Sequence, residues 1–301
     1  MFTYTEKKGF VYNTISMECV KMCSALAERI QNRTIAASLH SLFARTANLS
    51  TPFGLVTVLK EGRALQPYSL MVSQDFDPEL LRDGELCFSD GSLISGNREL
   101  IRCKNAEACD LSLREEHAPL PENRKLLEGF LSGKRDQGIV GLAFGEAEDI
   151  YSRFLTPRIG TLREKAKLAA EDPQETEAFL EAVWNCAGCG PGLTPSSDDF
   201  LSGYLLYFPE RRNDGIRKKA AFRAALRTND ISAALLRHGG ERMYAEDILQ
   251  FYGCMGKKCP EKEIVHAIER VSEFGSSSGC DFLTGAFLSM IDFYKLTEES
   301  K

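Results

Sequence analysis

The stretch Gly188-Cys-Gly-Pro-Gly-Leu-Thr-Pro-Ser-Ser-Asp-Asp-Phe-Leu-Ser-Gly203 is a glycine- and proline-rich loop that runs into a predicted helix. Its central Pro-Gly pair suits a type II turn, and proline at 195 pushes Thr194 out of the helical region. Thr194 can cap the helix, or Ser196 can cap it with Asp199 three residues later. Either start would offer free backbone N–H groups and a positive dipole end to a phosphate or carboxylate.

Two carboxylates, Asp198 and Asp199, follow directly in the first helical turn. They suit the helix dipole, but they repel an anionic ligand. Three readings reconcile them with a ligand site: they hold Mg²⁺, they bind an ammonium or amide group, or they point away. The alternative reading is a well-capped helix without a ligand.

A second segment, Ser278-Gly-Cys-Asp-Phe-Leu-Thr-Gly285, repeats the pattern of residues 196–203 and also follows a Gly/Ser-rich loop. Gly203 and Gly285 fall inside the two predicted helices, where glycine costs about 1 kcal/mol relative to alanine. A close approach of the two helices would explain why glycine occupies these positions. We therefore expect the two helix starts to face one another and to build one polar site.

The residues of this predicted site fall into two groups. The candidate catalytic residues, which are also the candidate Mg²⁺ ligands, are Asp198, Asp199 and Asp281. The candidate ligand-binding residues are Gly190, Gly192, Thr194, Ser196, Ser197, Ser277, Ser278 and Gly279.

The chain on either side predicts an α+β protein in two parts. Residues 1–146 would form a sheet-containing domain and residues 147–301 a helical domain. Helical periodicity covers 16–31 and 34–46, and strand-like segments at 54–59, 68–72, 85–88, 92–94 and 99–103 suggest a small, mainly antiparallel sheet. Further helices are predicted at 122–132, 147–155, 160–171, 174–186, 198–208, 214–227, 230–239, 244–252, 260–273 and 280–295.

Composition and charge exclude several classes of protein. With 37 basic against 43 acidic residues the net charge is −6, so neither nucleic acid nor an anionic membrane is an expected partner. Residues 1–10 carry charges where a signal peptide needs an apolar core, and no apolar run is long enough to span a bilayer. We expect a cytoplasmic protein.

The cysteines and histidines give weaker signals. Cys186, Cys189, Cys254 and Cys259 could supply four thiolates to one structural Zn²⁺, but the preferred reading is that they are small apolar residues in packed segments. Cys19 and Cys23 have helical spacing and should face a core. The four histidines are scattered, without a metal-binding spacing, and no Walker motif, nucleophile elbow or dinucleotide fingerprint occurs.

Four segments together resemble a bacterial family, long of unknown function, that includes the AllH-like subunit of oxamate carbamoyltransferase. The segments are Gly190–Gly203, Ser278–Gly285, the early Ser41–Leu49 and the middle Thr228–Leu236. The resemblance spans most of the chain, and its Gly-Pro-Gly-Leu-Thr-Pro block is specific. Ser197 stands where the family usually has glycine.

The resemblance implies a subunit of a multi-subunit enzyme of anaerobic purine or allantoin nitrogen use. That enzyme interconverts oxalurate plus phosphate with oxamate plus carbamoyl phosphate. All of these ligands carry anionic groups, and Arg45 and Asn48 are candidates to clamp a carboxylate or phosphate. Two hypotheses remain: a subunit that binds a small anionic metabolite for carbamoyl transfer, and a non-catalytic scaffold or binding subunit that supports a catalytic partner.

Overall fold

The structure is a computed structural model that describes residues 16–82, 84–147, 149–210 and 215–294. The charged segment 1–10, from which the absence of a signal peptide was predicted, lies outside this part. The chain divides into two compact units, residues 16–63 with 68–109 and residues 64–67 with 110–294. Residues 110–146 thus group with the helical unit, whereas the sequence pattern predicted a boundary at 146.

The N-terminal unit is built on a mixed sheet. Its strands in the described residues are β1 Met17–Cys23, β2 Ile35–Leu42, β3 Thr46–Thr51, β4 Gly54–Lys60, β5 Ser69–Val72, β6 Leu86–Ser89, β7 Ser92–Ser95, β8 Arg98–Arg102 and β9 Glu107–Cys109, and one helix, α1 Ser24–Ile30, follows β1. The strand order is β5-β4-β3-β2-β6-β7-β8-β1-β9, and an extra β1–β5 pairing closes eight of these nine strands into a ring. Six of the nine strand pairings are antiparallel, whereas β1–β8, β1–β9 and β4–β5 are parallel.

The prediction of a mainly antiparallel sheet is confirmed in part, but the sheet is larger than predicted and closes on itself. The predicted helices at 16–31 and 34–46 are wrong, apart from α1. A bulge between Cys19 and Lys21 interrupts the strand alternation of β1. Buried residues therefore recur at Cys19, Met22 and Cys23, a spacing that imitates a helix. Both cysteines are buried as expected, but on a strand.

The second unit contains the remaining α-helices of the described chain. These are α2 Pro121–Ser132, α3 Ile150–Glu171, α4 Thr176–Cys186, α5 Ser196–Leu206, α6 Ile216–Ala225, α7 Asp230–Gly240, α8 Glu246–Gly256, α9 Glu261–Ser272 and α10 Ser278–Phe293. The two helices predicted at 147–155 and 160–171 are one, because α3 continues through Pro157 and buries Leu155, Ile159 and Leu162 on one face. None of the helices described is long and apolar enough to cross a membrane.

Helices α5 and α10 pack directly on one another at the centre of this unit. Every residue from Gly279 to Met290 is buried. A methyl group on Gly203 would lie 1.9 Å from the Phe282 carbonyl oxygen, and one on Gly285 would lie 2.0 Å from the Phe200 carbonyl oxygen. The close approach inferred from the two glycines is confirmed. It is reciprocal, since each glycine contacts the phenylalanine of the other repeat.

Candidate functional site

The start of α5 uses its backbone N–H groups differently from the prediction. The helix begins at Ser196, and neither Thr194 nor Ser196 makes a capping hydrogen bond. The Ser197 N–H donates to the Cys189 carbonyl at 3.0 Å, and the next two N–H groups both donate to the Pro195 carbonyl. Three N–H groups of the first turn therefore have acceptors already, which leaves fewer donors for an anion than the sequence suggested.

Two positions in the loop favour glycine, each for a different reason. Gly190 has φ +132°, and a Cβ there would lie 2.5 Å from the Ser196 nitrogen, so the loop is pressed against the helix start. Gly192 has φ +91° with open space around it, so backbone conformation alone favours glycine there. The loop is held in a fixed path at Gly190 and is exposed at Gly192.

Asp198 is saturated with hydrogen bonds. Its Oδ1 accepts from the Gly188 N–H at 2.7 Å, and its Oδ2 accepts from the hydroxyls of Thr228 and Ser232. Burial raises the pKa of Asp198 above its ordinary value, and these hydrogen bonds oppose the rise. The carboxylate thus ties the glycine-rich loop and α5 to the start of α7.

The same connection is reinforced by Asn229. Its Oδ1 caps α7 by accepting from the N–H groups of Ile231 and Ser232, and its Nδ2 donates to the Leu193 carbonyl at 2.8 Å. The structure therefore brings the middle stretch 228–236 against the loop 188–195. The sequence alone gave no signal that these two segments meet.

Asp281 occupies a different environment at the start of α10. Its side chain is fully buried, and its Oδ1 accepts from the Ile139 N–H at 2.7 Å. Gly138, with φ +52°, is so close that a Cβ would lie 2.0 Å from that oxygen. The segment 138–139 was missed by sequence reasoning, although glycine in an apolar stretch was a usable signal for close approach.

Hydroxyl groups at the two helix starts make contacts across the crossing of α5 and α10. The Thr194 and Ser278 hydroxyls are hydrogen-bonded at 2.8 Å. The Ser278 hydroxyl lies beside Asp199, whereas the Ser196 hydroxyl lies beside Asp281. Ser196 and Ser278 therefore each contact the aspartate of the other repeat, whereas Thr194 and Ser277 contact the aspartate of their own helix start.

Asp199 and Asp281 are the two carboxyls of this site with unused hydrogen-bonding capacity. Burial raises the pKa of Asp281 to about 6 and that of Asp199 well above its ordinary value, and the charge of Asp281 contributes to the second rise. The nearby hydroxyls oppose both rises. In the described part of the chain, neither Asp199 Oδ2 nor Asp281 Oδ2 has a hydrogen-bond partner. Each oxygen can therefore accept an N–H or hold a proton.

The predicted ligand-binding residues differ in their exposure. Ser196, Ser197 and Gly279 are buried, and the Ser197 hydroxyl accepts from the Cys189 N–H at 2.8 Å. Thr194, Ser277 and Ser278 are half-buried, and their hydroxyls hydrogen-bond to the two carboxyls, those of Thr194 and Ser278 to Asp199 and that of Ser277 to Asp281. We call these three residues the hydroxyl rim.

Arg45 and Asn48 lie in the N-terminal unit, in and after the turn between β2 and β3. Arg45 donates to the Glu61 carbonyl at 2.9 Å. Asn48 donates to the Ser41 hydroxyl at 2.9 Å and accepts from Thr57 at 2.8 Å. The helix expected around them is a pair of strands, and these contacts tie neighbouring segments of the sheet together.

The described residues do not supply a donor set for a metal ion. They include no group of three or more His, Cys, Asp or Glu side chains arranged to hold a metal ion. Asp198, one of the three candidate Mg²⁺ ligands, already accepts hydrogen bonds at both oxygens. The donor set thus does not fit the Mg²⁺ or Zn²⁺ sites considered above.

Comparison with known families gives two matches. Residues 186–290 match the family described as oxamate carbamoyltransferase subunit AllH, and residues 15–111 match the AllH family N-terminal domain. The first match contains the glycine-rich loop, the middle stretch and both helix starts. The second ends close to the boundary between the two units. No solved structure matches the chain.

Proposed function

Because the chain belongs to the AllH family of oxamate carbamoyltransferase subunits, we propose that it contributes a small-ligand site to such an enzyme. The reaction would interconvert oxalurate plus phosphate with oxamate plus carbamoyl phosphate. The ligand would be held at the crossing of the α5 and α10 starts. The observation that carries this location is the fully buried Asp281, whose Oδ2 is unpartnered beside Asp199 and below the hydroxyl rim.

The chemistry of the ligands suits this arrangement. Oxalurate, oxamate and carbamoyl phosphate each combine an anionic group with an amide nitrogen. Hydroxyl donors of the rim can bind the anionic oxygens, and unpartnered carboxylate oxygens can accept from the amide N–H. The site residues would then promote transfer in two ways. They would hold the ligand so that its carbamoyl carbon is correctly placed for transfer, and they would stabilise the charge that develops during the reaction.

The partners implied are the other subunits of the complex and a small anionic metabolite. The family description names a subunit, so the transfer chemistry would be completed by partner chains. Asp198 would act as a positioning residue in this proposal, because its hydrogen bonds hold α5 and the loop in place.

A specific observation also favours the second candidate, a scaffold that supports a catalytic partner. Several N–H groups at the two helix starts are already bonded, including those of Ser197, Gly279 and Asp281. A polar cluster whose donors and acceptors pair with one another can hold two helices together without binding any ligand.

Activity of the reconstituted complex separates the two candidates. Asp199→Asn and Asp281→Asn should each lower the rate of carbamoyl transfer by about 100-fold, because each removes an acceptor for the substrate. Glu177→Gln is the matched control, since Glu177 is an exposed acidic residue in the first turn of α4. If both aspartate variants assemble and retain wild-type rates, the chain is a scaffold and the proposed ligand site is wrong.

A further inference from the structure

We infer that the outward face of α6 and of the turn after it binds an acidic segment of another subunit, with apolar side chains among its carboxylates. The surface consists of four basic and two apolar exposed side chains, Lys218, Lys219, Phe222, Arg223, Leu226 and Arg227. We call it the basic face of α6. The identity of the partner as a subunit of the same enzyme rests on the proposed function. The position and chemistry of the surface rest on the following contacts.

Positive charge is concentrated at this surface. Between Gly215 and Thr228 the chain has five basic residues and no acidic one, although its net charge is −6. Four of the five basic side chains are exposed. Two carboxylates of neighbouring elements face them, since Glu241 pairs with Lys218 at 3.3 Å and Glu181 approaches Arg223 at 4.0 Å. The remaining positive charge favours a partner that carries carboxylates.

Trp184 on α4 holds two of the cations in place. The guanidinium carbons of Arg223 and Arg227 lie 5.1 and 5.2 Å from the centre of its ring. Among the described residues, neither guanidinium donates a hydrogen bond to a carboxylate, because Glu181 is 4.0 Å away. Two planar groups that are oriented before binding can each take a carboxylate through paired hydrogen bonds, and they lose less side-chain entropy on binding than free arginines do.

The two apolar side chains lie among these cations. Leu226 is 66% exposed and Phe222 is 36% exposed. They are four residues apart, so they project from the same side of the helix. The opposite side of α6 is lined by buried alanines, so neither side chain is needed to pack the helix in its own unit. Exposed apolar side chains with a charged rim are typical of protein interaction sites.

The same features favour a protein segment over a membrane or a nucleic acid. A helix that lies on a membrane inserts a continuous apolar face, whereas the alanine face of α6 is buried and only two large apolar side chains are exposed. Nucleic acid binding depends on contacts with phosphates. An exposed Leu226 contributes nothing to such contacts, and Glu181 and Glu241 would repel phosphates.

The basic face of α6 continues into the glycine-rich loop. A Cβ on Gly188 would lie 2.4 Å from the Arg227 carbonyl oxygen, so the loop is pressed against the end of this surface. Asn229 donates to the Leu193 carbonyl, and the Leu193 side chain is 54% exposed. A segment bound at Arg227 would therefore lie beside the loop that precedes α5.

The affinity of the intact chain for the other subunits tests the inference. Leu226→Glu should weaken assembly about 100-fold, because it removes an apolar contact and places a negative charge against an acidic segment. Arg227→Glu should have an effect of similar size, and Arg227→Lys, which keeps the charge but loses the planar group, should weaken assembly by about 5-fold. Leu168→Glu on α3 and Lys262→Glu on α9 change exposed residues elsewhere and should assemble as wild type does. Circular dichroism melts verify that each variant is folded.

Two measurements on the wild-type complex test the chemistry of the partner segment. The affinity should fall about 10-fold between about 50 and about 300 mM KCl, because salt screens exposed charges. Carbodiimide should couple the Lys219 amine to an Asp or Glu carboxylate of the partner, forming an amide with loss of water, and mass spectrometry locates this cross-link. The cross-link should be absent with Leu226→Glu.

Several outcomes would overturn the inference. They are failure of the wild-type chain to bind the other subunits, wild-type affinity in both Leu226→Glu and Arg227→Glu, and the absence of a Lys219 cross-link to the partner. Dimerisation of the isolated chain that Leu226→Glu abolishes, or binding to phosphatidylserine vesicles or single-stranded DNA that Arg227→Glu abolishes, would assign the surface to a different partner.

The proposed function can fail independently of this inference. If Leu226→Glu prevents assembly while Asp199→Asn and Asp281→Asn keep full rates in the complex, the docking surface stands and the proposed ligand site is wrong. If Leu226→Glu assembles normally while Asp281→Asn abolishes transfer, the ligand site stands and the docking surface is wrong.

Discussion

At the scale of single residues, burial opposes the ionisation of Asp281 in the helix-start site. Its carboxyl is fully buried and has one N–H partner, whereas Asp198 on the neighbouring helix has donors at both oxygens. Burial raises the pKa of Asp281 to about 6 because the charged form loses its hydration. Ionisation of Asp281 therefore opposes folding when no ligand is bound.

The sign of this effect gives a pH-dependent prediction. Because the pKa of Asp281 is higher in the folded chain, its contribution to stability is fully present below pH 3.8 and is lost as the pH rises to about 6. A shift of two units corresponds to about 3 kcal/mol. Asp281→Asn does not titrate, so its stability relative to wild type should rise by about this amount between pH 4 and pH 7.

Urea unfolding of both proteins at several pH values measures this difference. Titrating groups away from Asp281 remain in both proteins and cancel to first order when the two free energies of unfolding are subtracted. Asp199 does not cancel, because the variant removes the charge that helps to raise its pKa, and this adds to the gain of the variant at higher pH. A difference that stays constant from pH 4 to pH 7 would show that Asp281 is not strained by burial.

The contrast between Asp198 and Asp199 shows which property of single residues the sequence does not predict, namely their hydrogen-bond partners. Both were predicted as site residues with the same chemistry, because they are adjacent in one helical turn. Asp198 is saturated by Gly188, Thr228 and Ser232, whereas Asp199 Oδ2 has no hydrogen bond to a described residue. Two of the three partners lie 30 or more positions away, and no local pattern encodes them.

At the scale of elements, the crossing of α5 and α10 depends on two glycines. Gly203→Ala and Gly285→Ala should each destabilise the protein by about 3 kcal/mol, because the new methyl group would overlap a backbone carbonyl that no side-chain rotation can relieve. Thermal or urea unfolding of the intact chain measures the loss. The loss should exceed the gain of about 1 kcal/mol that alanine brings to a helix interior.

Gly160→Ala is the matched control for this pair. Gly160 also lies inside a helix, α3, but open space surrounds the position of its missing Cβ. This variant should be neutral or slightly stabilising. Equal stability changes in all three variants would mean that the crossing tolerates a wider separation than the structure shows.

Element prediction succeeded where the signals are local. The helices from 174 onward begin and end within a few residues of their predicted limits, because apolar periodicity and residues such as Asn229 mark them. Strand β1 was missed because a bulge interrupts its alternation. Strand β2 alternates between partly buried and exposed residues but has no fully buried one. Closure of the sheet depends on the pairing of β1 with β5 and β8, which joins segments far apart in sequence.

At the scale of the whole molecule, the helical unit draws on more of the chain than the sequence pattern indicated. Residues 64–67 belong to it, and Leu65 and Glu246 exchange two hydrogen bonds of 3.0 Å, one of them through the Glu246 side chain. Residues 110–146 supply Ile139 to the candidate site. A division at residue 146 would separate Asp281 from its N–H donor.

Asn123 provides a direct test of this division. It is buried on α2, and its side-chain amide donates to the carbonyls of Cys254, Met255 and Lys257, which end α8. Asn123→Ala should lower the free energy of unfolding by about 2 to 3 kcal/mol and speed amide hydrogen exchange in α8, because buried acceptors lose their donor. Asn185→Ala, at an exposed position on α4, is the control and should change stability by less than about 0.5 kcal/mol. If the two variants behave alike, residues 110–146 do not stabilise the helical unit, and the boundary at 146 that the sequence predicted is the better description of how the molecule folds.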